Sequence, residues 1–389
     1  MTQISRLAAI GLAKESVAGT WLAPTVGIPF LKGDYEDMIG EIKDESVRGN
    51  DTVLQGMYAG PIHAEWQLDV LAYPDLAGHF LAGMIGPDTV TAATATTLSA
   101  LTIVGATSIS TAVALPAGSV IRIDTAGLVE YAWTDGVATG AGPYVSNVTT
   151  VLGKIGASRV GLTLGHASGV AVTTTTTHTF KQSTTALPTY SLTLFDTTQT
   201  VSCSYCRLSD LQLKIDPKGA VSLAVKYVSF PSVVQSLQTQ TFSTFDPVLG
   251  WSWNMTNGGA ASTRGLSYDA TIKRATEAIN SSDGTQAPRE VFAGPIEVDG
   301  TYKAIFENQL DMNLYLNYTQ TAATATLQQP VARGGQSLSL TMSKSGWFKG
   351  KRDLSSAYVQ GDFSLSGIYN TTDGGAVQAV LQNFQTAAY

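Results

Sequence analysis

Two stretches of the chain alternate between apolar and polar residues with a period of two, as in a strand with one dry and one wet face. The first begins YAGPI at residue 58 and the second begins FAGPI at residue 292, an offset of 234 residues. The apolar positions are Ile62, Ala64, Trp66, Leu68 and Val70, and then Ile296, Val298, Tyr302, Ala304 and Phe306. The polar positions between them are His63, Glu65, Gln67 and Asp69, and then Glu297, Asp299, Thr301 and Lys303. The pattern predicts one long strand in each copy.

A helix is predicted directly after each of these strands. Pro74 is placed to begin the first helix and Gly86-Pro87 to end it, while Asn308 is a candidate N-cap for the second. Apolar residues recur every four positions, at Leu76, Phe80 and Met84 and then at Leu310, Leu314 and Tyr318. A strand followed by a helix, twice at one offset, indicates an internal duplication.

Length and composition divide the chain further. At 389 residues it exceeds the usual size of one core. Between residues 88 and 177, Thr, Ala, Val and Gly dominate, and short apolar runs separated by turn residues are typical of a small β-sandwich. We therefore predict a mainly β fold with two tandem β-sandwich or barrel modules, each with a flanking helix. The first module takes residues 1–87 and 178–235, the inserted β-sandwich domain takes 88–177, and the second module takes 236–389.

The remaining strands are predicted from alternation and from flanking turn residues. In the first module they are 28–31, 39–47, 190–195, 207–215 and 220–228, and in the second 337–342, 358–369 and 377–381, with a turn at 370–375. In the inserted domain they are 98–104, 119–123, 129–133 and 159–164.

Polar, turn-rich loops occupy equivalent places in the two copies, at residues 44–57 and 280–289. Long loops at equivalent positions favour contact surfaces, although an ordinary hairpin tip would have the same composition. The candidate contact residues are Arg48, Asn50, Asp51, Asp283 and Arg289.

The sequence offers little that suggests catalysis. Cys203 and Cys206 have the spacing of half a metal or redox site, but no second cysteine pair exists. In an extended segment their side chains would point to opposite faces, so we interpret them as structural cysteines. The four histidines, His63, His79, His166 and His178, belong to no metalloprotease-type motif, and no P-loop or nucleophile elbow is present. We expect no enzyme activity, cofactor or metal.

Two acidic pairs and a tryptophan pair allow another interpretation. Glu65 with Asp69, or Glu297 with Asp299, could form the carboxylate pair of a glycoside hydrolase, and Trp251 with Trp253 a sugar platform. Acidic residues on a solvated strand face, and tryptophans in a core or interface, are the more ordinary interpretation.

Charge and hydropathy exclude two kinds of partner. The chain has 23 Lys and Arg against 30 Asp and Glu, a net charge of −7, whereas a nucleic-acid-binding surface needs clustered cations. No run of eighteen apolar residues occurs and no signal peptide is recognisable, so we expect folding in a cytoplasm and no membrane span.

The order of several motifs resembles the tail tube proteins of long-tailed bacteriophages, in particular the larger family whose chains hold two tube modules. The resemblance covers residues 1–87 and about 180–389 and leaves the insertion out. The motifs are GLAKE at residue 11, Gly19-Thr20, Pro24, Arg48-Gly49-Asn50 and the Gly60-Pro61-Ile62 strand.

This resemblance implies a structural virion protein assembled in the host cytoplasm. Three chains would form a pseudo-hexameric ring, and the rings would stack into a hollow tail tube that conducts DNA. The loop residues named above would then contact the next ring. The partners would be further copies of the chain, the tape-measure protein, the tail-tip or baseplate proteins and the tail terminator. DNA would pass without specific binding, and the wet faces with Glu65, Asp69, Glu297 and Asp299 would line the lumen. The resemblance says nothing of the insertion, which we expect to project from the outer wall because it interrupts one module only, between a helix and a strand. A baseplate hub built on the same module and a surface adhesin are the alternatives.

Overall fold

The computed structural model describes residues 5–124, 127–182 and 187–389, so the first residues of the predicted first module lie outside it. The helices are α1 (Ala77–Met84) and α2 (Leu310–Leu316), with 3-10 turns at Ser5–Leu7, Gly156–Ser158, Gly250–Ser252 and Val331–Arg333. The strands of the first half are β1 (Ala9–Lys14), β2 (Val26–Ile28), β3 (Phe30–Asp44), β4 (Gly56–Leu71), β5 (Asp88–Thr91), β6 (Ala95–Thr97), β7 (Ser108–Thr111), β8 (Val120–Ile123), β9 (Glu130–Thr134), β10 (Tyr144–Thr149), β11 (Ala171–Thr174), β12 (Thr176–Lys181), β13 (Tyr190–Phe195), β14 (Thr200–Ile215), β15 (Ser222–Ser229) and β16 (Val233–Gln235). Those of the second half are β17 (Trp253–Asn257), β18 (Ala260–Ser262), β19 (Gly265–Ile279), β20 (Glu290–Ile305), β21 (Thr321–Gln328), β22 (Ser337–Asp353), β23 (Gln360–Gly367) and β24 (Gln378–Asn383). The predicted mainly β class is confirmed.

Strand pairing repeats in the two halves of the chain. In the first repeat the pairs are β1–β2, β1–β13, β13–β14, β14–β15, β14–β16, β15–β4 and β3–β4. In the second repeat they are β17–β18, β17–β21, β21–β22, β22–β23, β22–β24, β20–β23 and β19–β20. Each pair in one repeat has one counterpart in the other, in the same chain order. The two repeats therefore share one topology, as expected for a duplication.

The two long strands predicted from alternation are present, and their bounds keep the offset of the sequence repeat: β4 is Gly56–Leu71 and β20 is Glu290–Ile305. Along β4 the predicted dry positions from Ala64 to Val70 are buried, and Glu65 is exposed. Burial of every second side chain against one core fixes the register, since a slip of one residue would reverse the faces.

The two strands predicted at 28–31 and 39–47 are wrong as separate elements. The structure has one long strand, β3, that pairs with β4 along its length, preceded by the short β2. The pairing shifts register after Phe30 and again after Ile39, so bulges carry the strand through a segment without regular alternation. Strand β19 has the same relation to β20. Each repeat thus contains a hairpin arm of two strands of 15 to 16 residues.

Irregularities of the pairing are also duplicated. The β14–β15 pairing shifts after Leu208, and the β22–β23 pairing shifts after Trp347. A second shift follows the pair Tyr190–Cys206 in the first repeat and Thr321–Ser345 in the second. Aligning the two repeats on either shift makes residue 206 equivalent to residue 345. Strands β14 and β22 therefore correspond residue by residue at one offset.

The first helix is confirmed and the second is only partly as predicted. Helix α1 begins at Ala77, after a turn in which the N–H of Ala77 donates to Tyr73 O at 2.9 Å, and Phe80 and Met84 are buried. In α2 the N-cap position is Gln309, although Asn308 Oδ1 accepts the N–H of Leu310 at 3.1 Å. The predicted stripe of α2 is only partly dry in the single chain. Leu314 is half-buried against the core, whereas Leu310 is 61% exposed, and Tyr318, which lies beyond the helix, is 79% exposed.

The inserted residues form a separate six-stranded sheet in the order β6-β11-β8-β9-β10-β7, with its own apolar cluster. A bridge between Leu98 and Thr111 joins the ends of the two edge strands, so the sheet closes on itself like a small barrel. Strands predicted at 119–123 and 129–133 are present as β8 and β9. The strands predicted at 98–104 and 159–164 are wrong, because these segments are loops. Their apolar pattern comes in part from Leu98, which is buried at an isolated bridge, and from Leu162, which is buried from a loop.

The two ends of the inserted segment belong to the large sheet. Strand β12 pairs with β5 on one side and with β24 on the other. The domain boundaries at 88 and 177 remain predictions, and this pairing favours an inserted unit between residues 92 and 175.

The repeats join edge to edge through β14 and β19, from the pair Asp210–Lys273 to the pair Ile215–Tyr268. This junction makes one continuous sheet in the order β3-β4-β15-β14-β19-β20-β23-β22, which we call the wall. Arg274 on β19 donates from Nε to Met84 O at 2.6 Å and from Nη2 to Ile85 O at 3.2 Å. It thereby satisfies carbonyls at the end of α1 that have no partner within the helix.

Replacing Arg274 by Gln should destabilise the folded chain by about 2–4 kcal/mol, because partly buried carbonyls lose charged donors. Burial lowers the pKa of the Arg274 guanidinium to about 10, so it is still charged at neutral pH. Urea unfolding followed by tryptophan fluorescence measures the change. Lys273→Gln, at the exposed neighbouring position of the same strand, is the control. Equal stability of the two variants would contradict the role assigned to Arg274.

Candidate assembly surfaces

The dry face of the wall is covered by the rest of the chain. Its side chains, among them Trp66, Leu213, Ile272 and Phe363, belong to one core together with α1 and with β1 and β13. The opposite, wet face has no described layer packed against it.

The four predicted lumen residues all lie on the wet face, Glu65 and Asp69 on β4 and Glu297 and Asp299 on β20. Glu65, Glu297 and Asp299 are exposed and Asp69 is half-buried. The structure thus places them on one continuous face.

Lysines that the strand pattern did not single out alternate with these carboxylates. Across neighbouring strands the paired residues run Lys226, Asp210, Lys273 and Glu297. Burial raises the pKa of the Asp210 carboxyl, and the charges of Lys273 and Lys226 partly offset that rise. The expected acidic face is in fact a mixed one in which acids and lysines interleave.

Both ends of the wall are free edges in the described chain. Strand β3 pairs only with β4, and β22 beyond Ser345 pairs only with β23. The charges of the two edges are opposite. The acids of β3 are Asp34, Glu36, Asp37, Glu41 and Asp44 against two lysines, Lys32 and Lys43, and the cations of β22 are Lys344, Lys349, Lys351 and Arg352 against the single acid Asp353. Exposed edges of this length are rare in monomers because they recruit further strands.

The predicted contact loops differ in their surroundings. The 280–289 loop lies on the first repeat: Gln286 Nε2 donates to Ala59 O at 3.1 Å, and the N–H of Ile62 donates to Gln286 O at 2.9 Å. The sequence did not single out Gln286, since a loop glutamine has no signature of its own. Asp283 accepts the Thr285 N–H at 3.0 Å within this loop, and the Arg289 N–H donates to Ile279 O at 2.8 Å at its end.

The other predicted contact loop, at residues 44–57, is held by short-range contacts. Arg48 forms a salt bridge with Asp44, and Asn50 Oδ1 accepts the Thr52 N–H at 3.0 Å. Asp51 is exposed. No hydrogen bond found among the described residues links Arg48, Asn50 or Asp51 to the second repeat. A role of these residues in contacts between rings remains a prediction.

The cysteines are buried on one face, contrary to the expectation that they point apart. A bulge lies between them, and Tyr205 has a positive φ of 55°. This turns Cys203 and Cys206 to the same core, where Cys206 Sγ lies 3.4 Å from Cys203 O. Burial raises the pKa of the Cys203 thiol to about 12 and that of Cys206 well above its usual range.

We expect neither thiol to react in the folded protein. Labelling with a maleimide at pH 8 should be at least about 100-fold slower than in urea, because the thiolate is the nucleophile and a buried thiol stays protonated. Mass spectrometry of the native and unfolded chain counts the labels. Rapid labelling of the native chain would show that β14 opens readily.

His178 and His166 have hydrogen-bonding partners in the interior of the fold. His178 Nδ1 lies 2.7 Å from Asp88 Oδ2, and its Nε2 lies 2.9 Å from Gln385 O. Burial alone would lower the pKa of His178, but these hydrogen bonds raise it above its ordinary value. Inside the inserted unit, His166 Nε2 lies 3.1 Å from Glu130 Oε2. Among the described residues no group of three or more His, Cys, Asp or Glu side chains is arranged to hold a metal.

The described chain thus holds two repeated sheet modules, and its wall ends in free edges of opposite charge. A family model described as "phage tail tube protein" matches residues 5–385. The chain therefore belongs to the phage tail tube protein family and is a component of the virion tail. No curated protein matches it. Neither helix of the described residues is long and apolar enough to cross a membrane.

Proposed function

We propose that three chains close into a ring, and that rings stack into the hollow tube that conducts phage DNA into the host. The free, oppositely charged edges of the wall carry this proposal. An open sheet that is covered on one face and has two free edges is stabilised by closure, which removes the edges. Two repeats in each chain give a ring of three chains six similar modules.

The wet face supports the role of a conduit. In a closed ring it would line the bore, since the helices and the second layer cover the dry face. Phosphate contacts supply most nonspecific affinity for DNA. A surface on which carboxylates accompany each lysine offers no continuous basic track, so DNA would pass without being held.

The remaining assignments follow from this position in the virion. Further copies of the chain would be the main partners, with tape-measure, tail-tip and terminator proteins at the lumen and the two tube ends. The loops with Arg48, Asn50 and Asp51 and with Asp283 and Arg289 would meet the next ring. The inserted unit would project from the outer wall, because it leaves the fold between α1 and β13 on the dry side.

Negative-stain microscopy of the purified chain, with native mass spectrometry, tests the proposal. Rings or tubes with three chains per ring are the expected result, and tail-tip protein should seed them where dilute chain alone stays monomeric. Rings of six chains would contradict the stoichiometry. No ring under seeded conditions, or only a few copies of the chain per virion, would contradict the tube function and favour a hub.

A further inference from the structure

We infer that the junction between the two repeats inside one chain is reproduced between chains, with helix α2 of one chain docked against strand β16 of the next. This inference rests on the proposed ring. It goes further by naming the residues on both sides of the contact and the register of the strands between them.

Helix α1 shows what the contact looks like inside the chain. Ala77, Phe80 and Leu81 face Leu338 and Leu340 of the second repeat across a small apolar cavity. Those two leucines lie beside β24, where Leu340 pairs with Ala379. At the end of β24, Asn383 Nδ2 donates to Pro74 O at 2.8 Å, directly before the helix. Helix α1 packs mainly on β14 of its own repeat and touches β12 and β19. One side of it also faces the β22–β24 corner of the next repeat.

Helix α2 lacks that partner. Leu310, Leu316 and Tyr318 are equivalent to Leu76, Ala82 and Met84 at the offset of the sequence repeat. The three residues of the first repeat are buried, whereas Leu316 is 58% exposed and its two companions are exposed still more. Of the stripe predicted for α2, Leu314 packs against the core of its own chain, whereas Leu310 and Tyr318 are exposed together with Leu316.

Strand β16 lacks a partner in the same way. Aligning β14 with β22 on their shared bulges makes Val201 equivalent to Leu340, so Val234, which pairs with Val201, is equivalent to Ala379. Ala379 is fully buried and pairs on its other side with Phe180 of β12, whereas Val234 has no second strand of the described chain beside it and is 70% exposed. Val233 and Leu237 beside it are also exposed. Two apolar patches whose equivalents in the other repeat are buried thus lie open on one chain.

The same equivalence fixes the strand register between chains. Inside the chain Gln212 pairs with Thr271 and Ile215 with Tyr268. Translated to the free edges, Lys351 pairs with Glu36 of the next chain, and Leu354 with Gly33. Ile215 is buried, whereas its equivalent Leu354 is 75% exposed.

A groove receives Leu354 in this register. It has a volume of about 370 Å³ and is lined by Ile10, Phe30, Gly33, Trp66 and Leu194, among others. Because Gly33 has no side chain, the groove stays open beside the edge of β3. The one like-charge pair of the register, Asp353 with Asp34, is flanked by Lys351 on its own strand and by Lys32 on the next chain.

A second copy of the chain is the occupant that these observations favour. The two patches match in apolar character, the two strand edges match in charge, and the chain already holds one example of the finished contact. A different protein would need the same apolar patch, the same edge charge and the same strand geometry to bind there.

Disulfide cross-linking tests the register. Lys351→Cys with Glu36→Cys should link neighbouring chains under mild oxidation of assembled protein, since paired strand positions lie within disulfide range. Gln212→Cys with Thr271→Cys is the matched control and should link within one chain. Lys351→Cys with Met38→Cys, two residues out of register, should not link. Rings that form normally but link only in the shifted pair would overturn the register and leave the proposed function standing.

Serine substitutions test the helix contact. Leu316→Ser with Tyr318→Ser, and separately Val233→Ser with Val234→Ser, should raise the chain concentration needed for rings at least about tenfold through lost apolar burial. The matched control is Leu101→Ser with Ile103→Ser in the inserted unit, which is equally exposed and should assemble like wild type. Circular dichroism confirms that each variant folds. Unchanged assembly of both patch variants would overturn the docking of α2, whereas wild-type chain that forms no ring would instead contradict the proposed function.

Discussion

Reversing Lys349 and Lys351 to glutamate should block ring formation and leave the chain folded. In the inferred register both side chains face an acidic strand edge, so the reversal places like charges opposite each other at every junction of the ring. Such juxtapositions cost several kcal/mol at an interface, and each 1.4 kcal/mol is a factor of ten in affinity. The chain concentration needed for rings should rise by at least about 100-fold, measured by sedimentation and microscopy.

A compensating exchange distinguishes charge pairing from damage to β22. Adding Asp34→Lys and Glu36→Lys to the same chain restores opposite charges across each junction, and rings should form again. Asp37 is left unchanged, because it accepts hydrogen bonds from Tyr35 and Ser232 within the fold. High salt should partly rescue the singly reversed edge by screening. A singly reversed chain that assembles like wild type would show that these edges do not meet.

The regular parts of the fold were predictable because strand alternation is a local signal. On β4 and β20 the alternation of apolar and polar residues directly predicts which side chains are buried. Strand β3 could not be predicted as one strand from local alternation. It lies at a free edge, where no second described strand buries it, and its middle is polar on both faces. The bulge at Tyr205 could not be predicted either, because a positive φ at a tyrosine has no sequence signature.

The candidate assembly surfaces were only partly predictable, for a related reason. The four carboxylates of the wet face were found from the strand pattern, but the lysines beside them come from strands whose order along the wall depends on long-range pairing. Of the apolar stripe of α2, only Leu314 packs against the core of its own chain, while Leu310 and Tyr318 are exposed. A sequence shows that a face must be covered, but it does not show whether the cover comes from the same chain.

Reversing the four carboxylates of the wet face, Glu65, Asp69, Glu297 and Asp299, to lysine should make the bore hold DNA. The exchange adds four positive charges in place of four negative ones on each chain, which converts a face of interleaved charges into a basic one. A narrow bore keeps DNA within the roughly 10 Å over which charges act at ordinary salt. Rings should still form, since exposed substitutions away from packing usually cost little stability.

The measurement is DNA release from tails built with the variant chain, together with binding of short duplex DNA to the isolated tubes. Release should slow or stall, and higher salt should restore it, because binding through phosphates falls steeply with salt. The matched control reverses Lys226, Lys273 and Lys303 of the same face to glutamate, which should leave release unchanged because a more acidic bore also repels DNA. Normal release from carboxylate-reversed tails that assemble fully would show that the wet face does not line the path of the DNA.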